Sequence, residues 1–295
     1  MNTTTSANPN PDIKTGRLLH LDYLRGLSAL GIMMFHYCSW TMGRFESDSF
    51  LGRFGVYGVS IFYVLSGITL FHVYKKKLTA TFSSLVDFFK KRFLRIFPLY
   101  WVATISTLIL LGYNPGIFKL GIHLSGLFGF VKWHESIAVG SWSIGNELVF
   151  YAVFPFILFT ARKSLWLLVL ISASIFCLYV YFAFFAIDPD NKLPGFWRDY
   201  VNPLNQLFLF LGGFLIGFVF QHMRIKNLWN IILLIFSLIA FIFYPVNGEF
   251  IHLVSGTNRM VFTALCFLIC FGFYKAAFEL PRIIHVQMEF LGKCS

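Results

Sequence analysis

The sequence predicts an all-α, polytopic bundle of transmembrane helices, and three observations predict it. Of 295 residues, 57% are hydrophobic and only 13% charged, against about 25% charged in ordinary soluble domains. The apolar residues come in long unbroken runs rather than one stripe per helix. A water-facing globule of this size cannot bury them all, whereas lipid accepts them directly. The basic residues collect at the ends of those runs, as they do in cytoplasmic loops.

That placement also argues against nucleic acid as a partner. The formal charge is +11, yet the cations form no isolated basic domain and do not alternate with exposed aromatics. The five cysteines carry little signal. Cys38, Cys177, Cys266 and Cys270 lie in or near apolar runs and Cys294 near the end. Cys266 and Cys270 read as core thiols, because no histidine or acid clusters beside them to complete a metal site.

Residues 1–15 are polar, with two prolines, and read as a disordered cytoplasmic N-terminus ahead of a membrane domain, 16–295. They lack the pattern of a removable signal peptide, so the first span is expected to stay as an anchor. Eight spans follow, at about 18–42, 52–74, 94–111, 141–160, 165–187, 203–220, 228–244 and 257–274. The stretch 117–131 is a ninth span, a re-entrant piece or an interfacial helix. Residues 82–97, with basic residues on an apolar background, read as a surface helix that then turns into the bilayer.

Loop charges set the orientation. Lys14 and Arg17 precede the first span; Lys75, Lys76, Lys77, Lys90, Lys91, Arg92 and Arg95 follow the second. Both groups belong inside. The intervening loop, with Arg44, Glu46, Asp48 and Arg53, is balanced and falls outside. Arg162, Lys163, Arg224 and Lys226 also prefer the inside, which requires that 117–131 not cross fully. No internal repeat is visible.

Of 13 acids, only Asp22 and Glu147 fall inside the expected spans. Ionisable groups at membrane depth usually mark a site or a satisfied pair. On a helix, Arg25 and His36 lie about 20° apart around the axis and roughly 16 Å along it. Asp22 is one turn before Arg25, placed to neutralise it. Acid, base and imidazole thus share one face; the structural alternative is an interfacial ion pair with a packing histidine. Ser143, Glu147 and Tyr151 recur every fourth residue and form a second stripe, and Glu147 needs a partner, for which Arg25 or His36 is the natural candidate. Its structural alternative is an ion pair that locks two helices. Arg92 and Arg95 share a face suited to phosphate, although positive-inside topology and anionic lipid explain such a cluster too. The small residues of 55–67 suit close helix packing.

These motifs, taken in order, resemble the acyltransferase family three of multi-span membrane proteins, which includes bacterial enzymes that O-acetylate surface polysaccharides. Arg25 and His36 match an opening Leu-Asp-x-Leu-Arg-Gly with ten residues between Arg and His. Phe62-Tyr63-Val64-Leu65-Ser66-Gly67 matches two aromatics, then x-Leu-Ser-Gly. Arg92 and Arg95 match Arg-x-x-Arg, and Ser141-Trp142-Ser143-Ile144-Gly145-Asn146-Glu147 matches Ser-Trp-Ser-Leu-x-x-Glu, with Ile144 for Leu.

The resemblance implies acyl transfer, with acetyl the expected group, from acyl-coenzyme A to a hydroxyl of a glycan or lipid-linked glycan. The donor is then acetyl-CoA or another acyl-CoA, with no permanently bound cofactor and no metal, in a bacterial inner membrane. His36 would act as general base or transient acyl carrier. Asp22 and Arg25 would fix the first span and stabilise developing charge. Glu147 would orient or tune a cationic partner, and Arg92 and Arg95 would hold the donor's phosphates. Trp142, Ser143, Tyr151 and Ser66 would support substrate or structure. Leu291-Gly292-Lys293-Cys294-Ser295 resembles the opening of the family's last span, so the chain is expected to lack that span. The rival readings are a secondary transporter with an Asp/Arg/His/Glu relay and an inactive truncated relic.

Overall fold

A computed structural model describes residues 18–43 and 45–295. The N-terminal segment 1–15 and the charges of Lys14, Arg17 and Arg44 lie outside the described residues. Every regular element among the described residues is helical. In chain order these are α1 (Leu19–Thr41), α2 (Phe50–Tyr74), α3 (Phe82–Leu111), α4 (Ile117–Leu124), α5 (Phe128–Val131), α6 (Ser141–Lys163) and α7 (Leu165–Tyr181). Then come α8 (Trp197–Tyr200), α9 (Pro203–Phe220), α10 (Asn227–Phe243), α11 (Ile251–Val254), α12 (Gly256–Tyr274) and α13 (Arg282–Cys294). A π-helical turn, Phe182–Ala186, prolongs α7, and a 3-10 turn, Leu193–Phe196, leads into α8.

Six helices are long and apolar enough to cross a membrane: α2, α3, α6, α7 with its π turn, α9 and α12. The chain is a multi-pass membrane protein. α1 has the length, at 23 residues, but His20, Asp22, Arg25 and His36 dilute its apolar content. α10 has the composition but only 17 residues, about one turn short of the ~20 that span hydrocarbon.

α2 and α9 form the centre, each with 67% of its apolar window buried inside the protein. Their backbones touch where Gly67 faces Gly213. A Cβ on Gly67 would lie 2.6 Å from the Phe214 nitrogen, and one on Gly213 would lie 2.8 Å from the Val64 carbonyl carbon. Close packing through small residues, expected for 55–67, is what Gly67 provides. Around this contact Phe150 stacks on Phe210 at 5.1 Å and Phe154 on Phe88 at 5.5 Å. Cys266 and Cys270 are buried in the same core.

α3 lies at the edge, with only 17% of its window buried. The sequence reading has a surface helix at 82–97 that turns into the bilayer and a span at 94–111. The two are one helix of 30 residues, because no breaker precedes Pro98 and the fixed φ of proline fits a helix, at the cost of one hydrogen bond. The 117–131 stretch does not form a ninth span. Gly126, at φ 78°, divides it into α4 and α5, and eight residues of helix rise only about 12 Å. The pair tucks between α3 and α6, with Phe128 stacked on Tyr100 at 5.6 Å.

The first turn of α1 and the last turns of α2, α6, α9 and α12 meet at one end of the bundle. They surround a cavity of about 1000 Å³ lined in part by Lys75, Lys76, Arg162, His222 and Lys275. Several of these cations hold helix ends together. Arg162 donates to the carbonyls of Leu78 (2.6 Å), Lys75 (2.7 Å) and Tyr74 (3.2 Å) beyond α2. Lys275 donates to the Phe220 and Met223 carbonyls beyond α9. We call this the basic end.

One further placement differs from the sequence reading. Arg53, expected in an outer loop, is 3% exposed in the first turn of α2. It donates to Ser47 and to the Phe241 and Ile242 carbonyls at the end of α10, so a buried backbone terminus recruits it. Leu291–Cys294 form the last turn of α13, which lies along α1. A Cβ on Gly26 would sit 2.7 Å from the Gly292 nitrogen, and one on Gly292 would sit 2.6 Å from the Asp22 carbonyl oxygen.

Candidate active site

The motif residues converge on one cavity of about 970 Å³ between α1, α2, α3 and α6. Arg25, His36, Ser66, Arg92, Arg95, Trp142, Ser143, Glu147 and Tyr151 all line it. Asp22 does not, but it accepts a 2.9 Å bond from Arg25, as the one-turn spacing predicts. Arg25 also donates to Thr69 of α2 at 3.1 Å. That bond fixes the guanidinium against the neighbouring helix.

The cavity is polarised along the bundle. Arg25, Arg92, Arg95 and Lys293 line it with Glu147 as the sole carboxylate among its lining residues. Arg92 lies over the rings of Tyr74 (5.4 Å) and Tyr151 (5.6 Å) and donates to the Tyr74 hydroxyl at 3.1 Å. Its Nε is buried without a partner. Arg95 is exposed and makes no hydrogen bond or ion pair with the described residues. From Tyr151 beside Arg92 to Ser141 at the start of α6, the helix rises about 15 Å. Arg25 and His36 are separated along α1 by a similar distance. The guanidinium groups therefore sit towards the basic end, and His36 sits towards the other.

Glu147 occupies the middle. Its need for a partner points to Arg25 or His36, but it pairs directly with neither. Its carboxylate accepts instead from the Tyr151 hydroxyl, one turn on, and from Ser66 at 3.4 Å. Two hydroxyls meet that need at less desolvation cost than a second buried ion. Ser143 shares the stripe but donates to the Gly140 carbonyl at 2.8 Å. His36 packs its ring against Phe35 (5.2 Å) and Trp40 (5.7 Å) and makes no hydrogen bond with the described residues. Its nitrogens are unspent.

The sequence reading missed the far wall. Trp197, Tyr200, Leu193 and Phe250 line the cavity opposite the basic end, and the only sequence signal was aromatic residues in a connecting loop. It also passed over Arg259, 3% exposed in α12. That side chain donates to Asn205 at 2.5 Å and lies over the Tyr179 ring at 4.2 Å, which is a structural rather than a cavity position.

A family profile described as an acyltransferase domain matches residues 18–295. The exopolysaccharide production protein ExoZ of Rhizobium meliloti (strain 1021) is 27% identical over 194 residues, which is 63% of this chain and 55% of that protein. Protein 2 in the picA locus of Rhizobium radiobacter is 38% identical over 87 residues, 30% of this chain and 42% of that protein. The matches thus span about half the length of these curated relatives. No solved structure matches.

Proposed function

The chain belongs to the acyltransferase family whose profile spans residues 18–295, and we propose that it moves an acetyl group from acetyl-coenzyme A to a hydroxyl of an exopolysaccharide or its lipid-linked precursor. The acceptor class follows the name of the ExoZ relative. The observation that carries the reading is the polarised cavity. A donor with phosphates at one end and a thioester on a long arm fits a site whose guanidinium groups and free imidazole are roughly 16 Å apart.

In this reading Arg92 and Arg95 hold the phosphates by charge-assisted bonds, and Arg25, anchored by Asp22, adds to the field there. Its distance from His36 makes Arg25 an anchor for the donor rather than a partner of the reacting carbonyl. His36 takes the proton from the acceptor hydroxyl as the oxygen attacks the thioester carbonyl. The C–S bond breaks, the acetyl ester forms, and the imidazolium returns its proton to the departing coenzyme A thiolate. Glu147 supplies negative charge between the two ends, held by Tyr151 and Ser66. The N-terminus and basic end face the cytoplasm, where the donor is made, with α1 and α10 completing eight spans of an inner-membrane protein.

The test is to incubate the protein in lipid nanodiscs with acetyl-labelled coenzyme A and exopolysaccharide fragments, and to follow ester formation by mass spectrometry. His36→Ala is expected to lower turnover by about 10²–10⁴-fold, the usual worth of a general base. Because His36 makes no hydrogen bond to the described residues, thermal stability should barely move. Near-native turnover in the variant would remove His36 from the chemistry, and no labelled product from the unmodified chain would sink the reading.

A further inference from the structure

The cavity wall opposite the basic end has a chemistry of its own. Trp142 of α6 meets Trp197 of α8 at 5.7 Å and 77°, and Tyr200 at 5.8 Å and 53°. Trp197 and Tyr200 lie 5.8 Å apart at 48°. The three rings make a corner that opens on the cavity, and all three line it. Ser141, beside them, lines it too; it is 3% exposed and its hydroxyl is buried with no hydrogen-bond partner.

The backbone beneath this corner is pinned. Asn205 donates to the Asp199 carbonyl at 2.8 Å and the Tyr200 carbonyl at 3.1 Å. Gln206 donates to the Tyr200 carbonyl at 2.6 Å, and Trp133 donates its indole N–H to the Arg198 carbonyl at 2.9 Å. The polar atoms of the corner itself are unspent: the indoles of Trp142 and Trp197 and the Tyr200 hydroxyl make no hydrogen bond with the described residues. Elsewhere indoles beside the backbone do find partners, as Trp101 does at the Leu124 carbonyl. Buried aromatics with polar tips normally satisfy them, and a buried hydroxyl left unpaired is destabilising. A wall with unpaired donors is poorly suited to an acyl chain, and a wall without charge is poorly suited to an anion.

We infer that Trp142, Trp197, Tyr200 and Ser141 form a subsite for one uncharged pyranose ring, which lays its C–H face on the indoles and its hydroxyls on Ser141 and the aromatic polar tips. This deepens the proposed reaction and rests on it for the ring's role as acceptor. It places the sugar at the end of the cavity that holds His36.

Binding without donor tests the subsite separately from the reaction. The full chain in nanodiscs is titrated with methyl β-D-glucopyranoside and methyl β-D-galactopyranoside, with sorbitol as an open-chain control, by saturation-transfer NMR and tryptophan fluorescence. Ring C–H protons of at least one pyranoside are expected to receive saturation, and sorbitol none. Trp197→Ala should weaken binding about ten-fold, the scale of one aromatic contact, with Trp197→Phe restoring most of it. Ser141→Ala, the milder change should Trp197→Ala fail to fold, should weaken it about five-fold, the scale of one hydrogen bond. Pyranoside binding with no acetyl transfer keeps the subsite and sinks the reaction. Acetyl transfer whose acceptor KM is unmoved by Trp197→Phe, Trp197→Ala and Ser141→Ala keeps the reaction and overturns the subsite, as does equal saturation of sorbitol.

Discussion

The Tyr151 hydroxyl donates to the Glu147 carboxylate one turn earlier on α6, so the acid of the cavity is restrained from within its own helix. Ser66 of α2 adds a longer bond at 3.4 Å. Glu147→Gln keeps the shape and both hydroxyl contacts but removes the charge. It is expected to leave membrane yield and thermal stability near normal and to lower acetyl transfer at least about ten-fold, which is about 1.4 kcal/mol in the barrier. Tyr151→Phe keeps the charge and releases its restraint, so its loss should be smaller. Activity assays on both variants decide the matter; full activity in Glu147→Gln would make the carboxylate purely structural.

Arg92 and Arg95 differ in what they already hold. Arg92 donates to the Tyr74 hydroxyl and lies over two rings, whereas Arg95 makes no bond with the described residues. Arg95→Ala should therefore raise the donor KM by about one to two decades, the worth of a charge-assisted phosphate contact, without a change in melting temperature. Arg92→Ala should raise KM similarly and also lower stability. A donor titration with each variant separates these outcomes from lipid anchoring, which predicts lower membrane yield and an unchanged KM.

How much of this was legible in the sequence depended on whether a residue's partner was local. Asp22 and Arg25 are one turn apart and bond as their spacing requires. The Ser143–Glu147–Tyr151 stripe was likewise visible, although the partner of Glu147 proved to be its neighbour Tyr151. Arg53 was not legible, because the carbonyls it caps lie nearly 190 residues away, at Phe241 and Ile242. The aromatic corner was hidden for the same reason: Trp142 is half of a motif, but only the fold brings Trp197 and Tyr200 to it. Continuity of α3 from Phe82 to Leu111 was not legible because the basic residues at 90–95 read as a membrane boundary.

Glu135 ties α4 to the segment beyond α5, with Lys132 at 3.0 Å and Lys119 at 3.1 Å. The hydrogen bond from Lys132, then that from Lys119, holds its carboxyl below the ordinary range. A carboxyl lowered in the folded state stabilises that state above its unfolded value, about 4.3, and loses the effect as pH falls through the lower folded value. Protection from hydrogen exchange in residues 117–135, taken relative to the intrinsic rate at each pH, should thus fall on acidification through that window. In Glu135→Gln it should be low already at neutral pH and change less with acid. An identical pH response in the two proteins would show that another group controls the segment.

Gly292 of α13 rests on the backbone of Asp22 in α1, so close that a Cβ would stand 2.6 Å from the Asp22 carbonyl oxygen. Backbone cannot yield as a side-chain tip can. Gly292→Val must therefore lift the end of α13 off α1, at the cost typical of overpacking, about 1–3 kcal/mol. Two consequences follow from the geometry. Lys293, Cys294 and Ser295 line the cavity and would move with the helix. Asp22 would lose the cover that keeps its pair with Arg25 half-buried. Gly292→Val should therefore increase hydrogen exchange across residues 282–294, speed thiol labelling of the exposed Cys294 no more than slightly, and raise the donor KM through the disturbed Arg25. Gly292→Ala, with the same clash but less bulk, should fall between. Gly121, beside which nothing lies within 4 Å, supplies the control: Gly121→Ala should leave all three measurements unchanged. If Gly292→Val matched that control in exchange and donor KM, the contact between α13 and α1 would contribute nothing to the cavity.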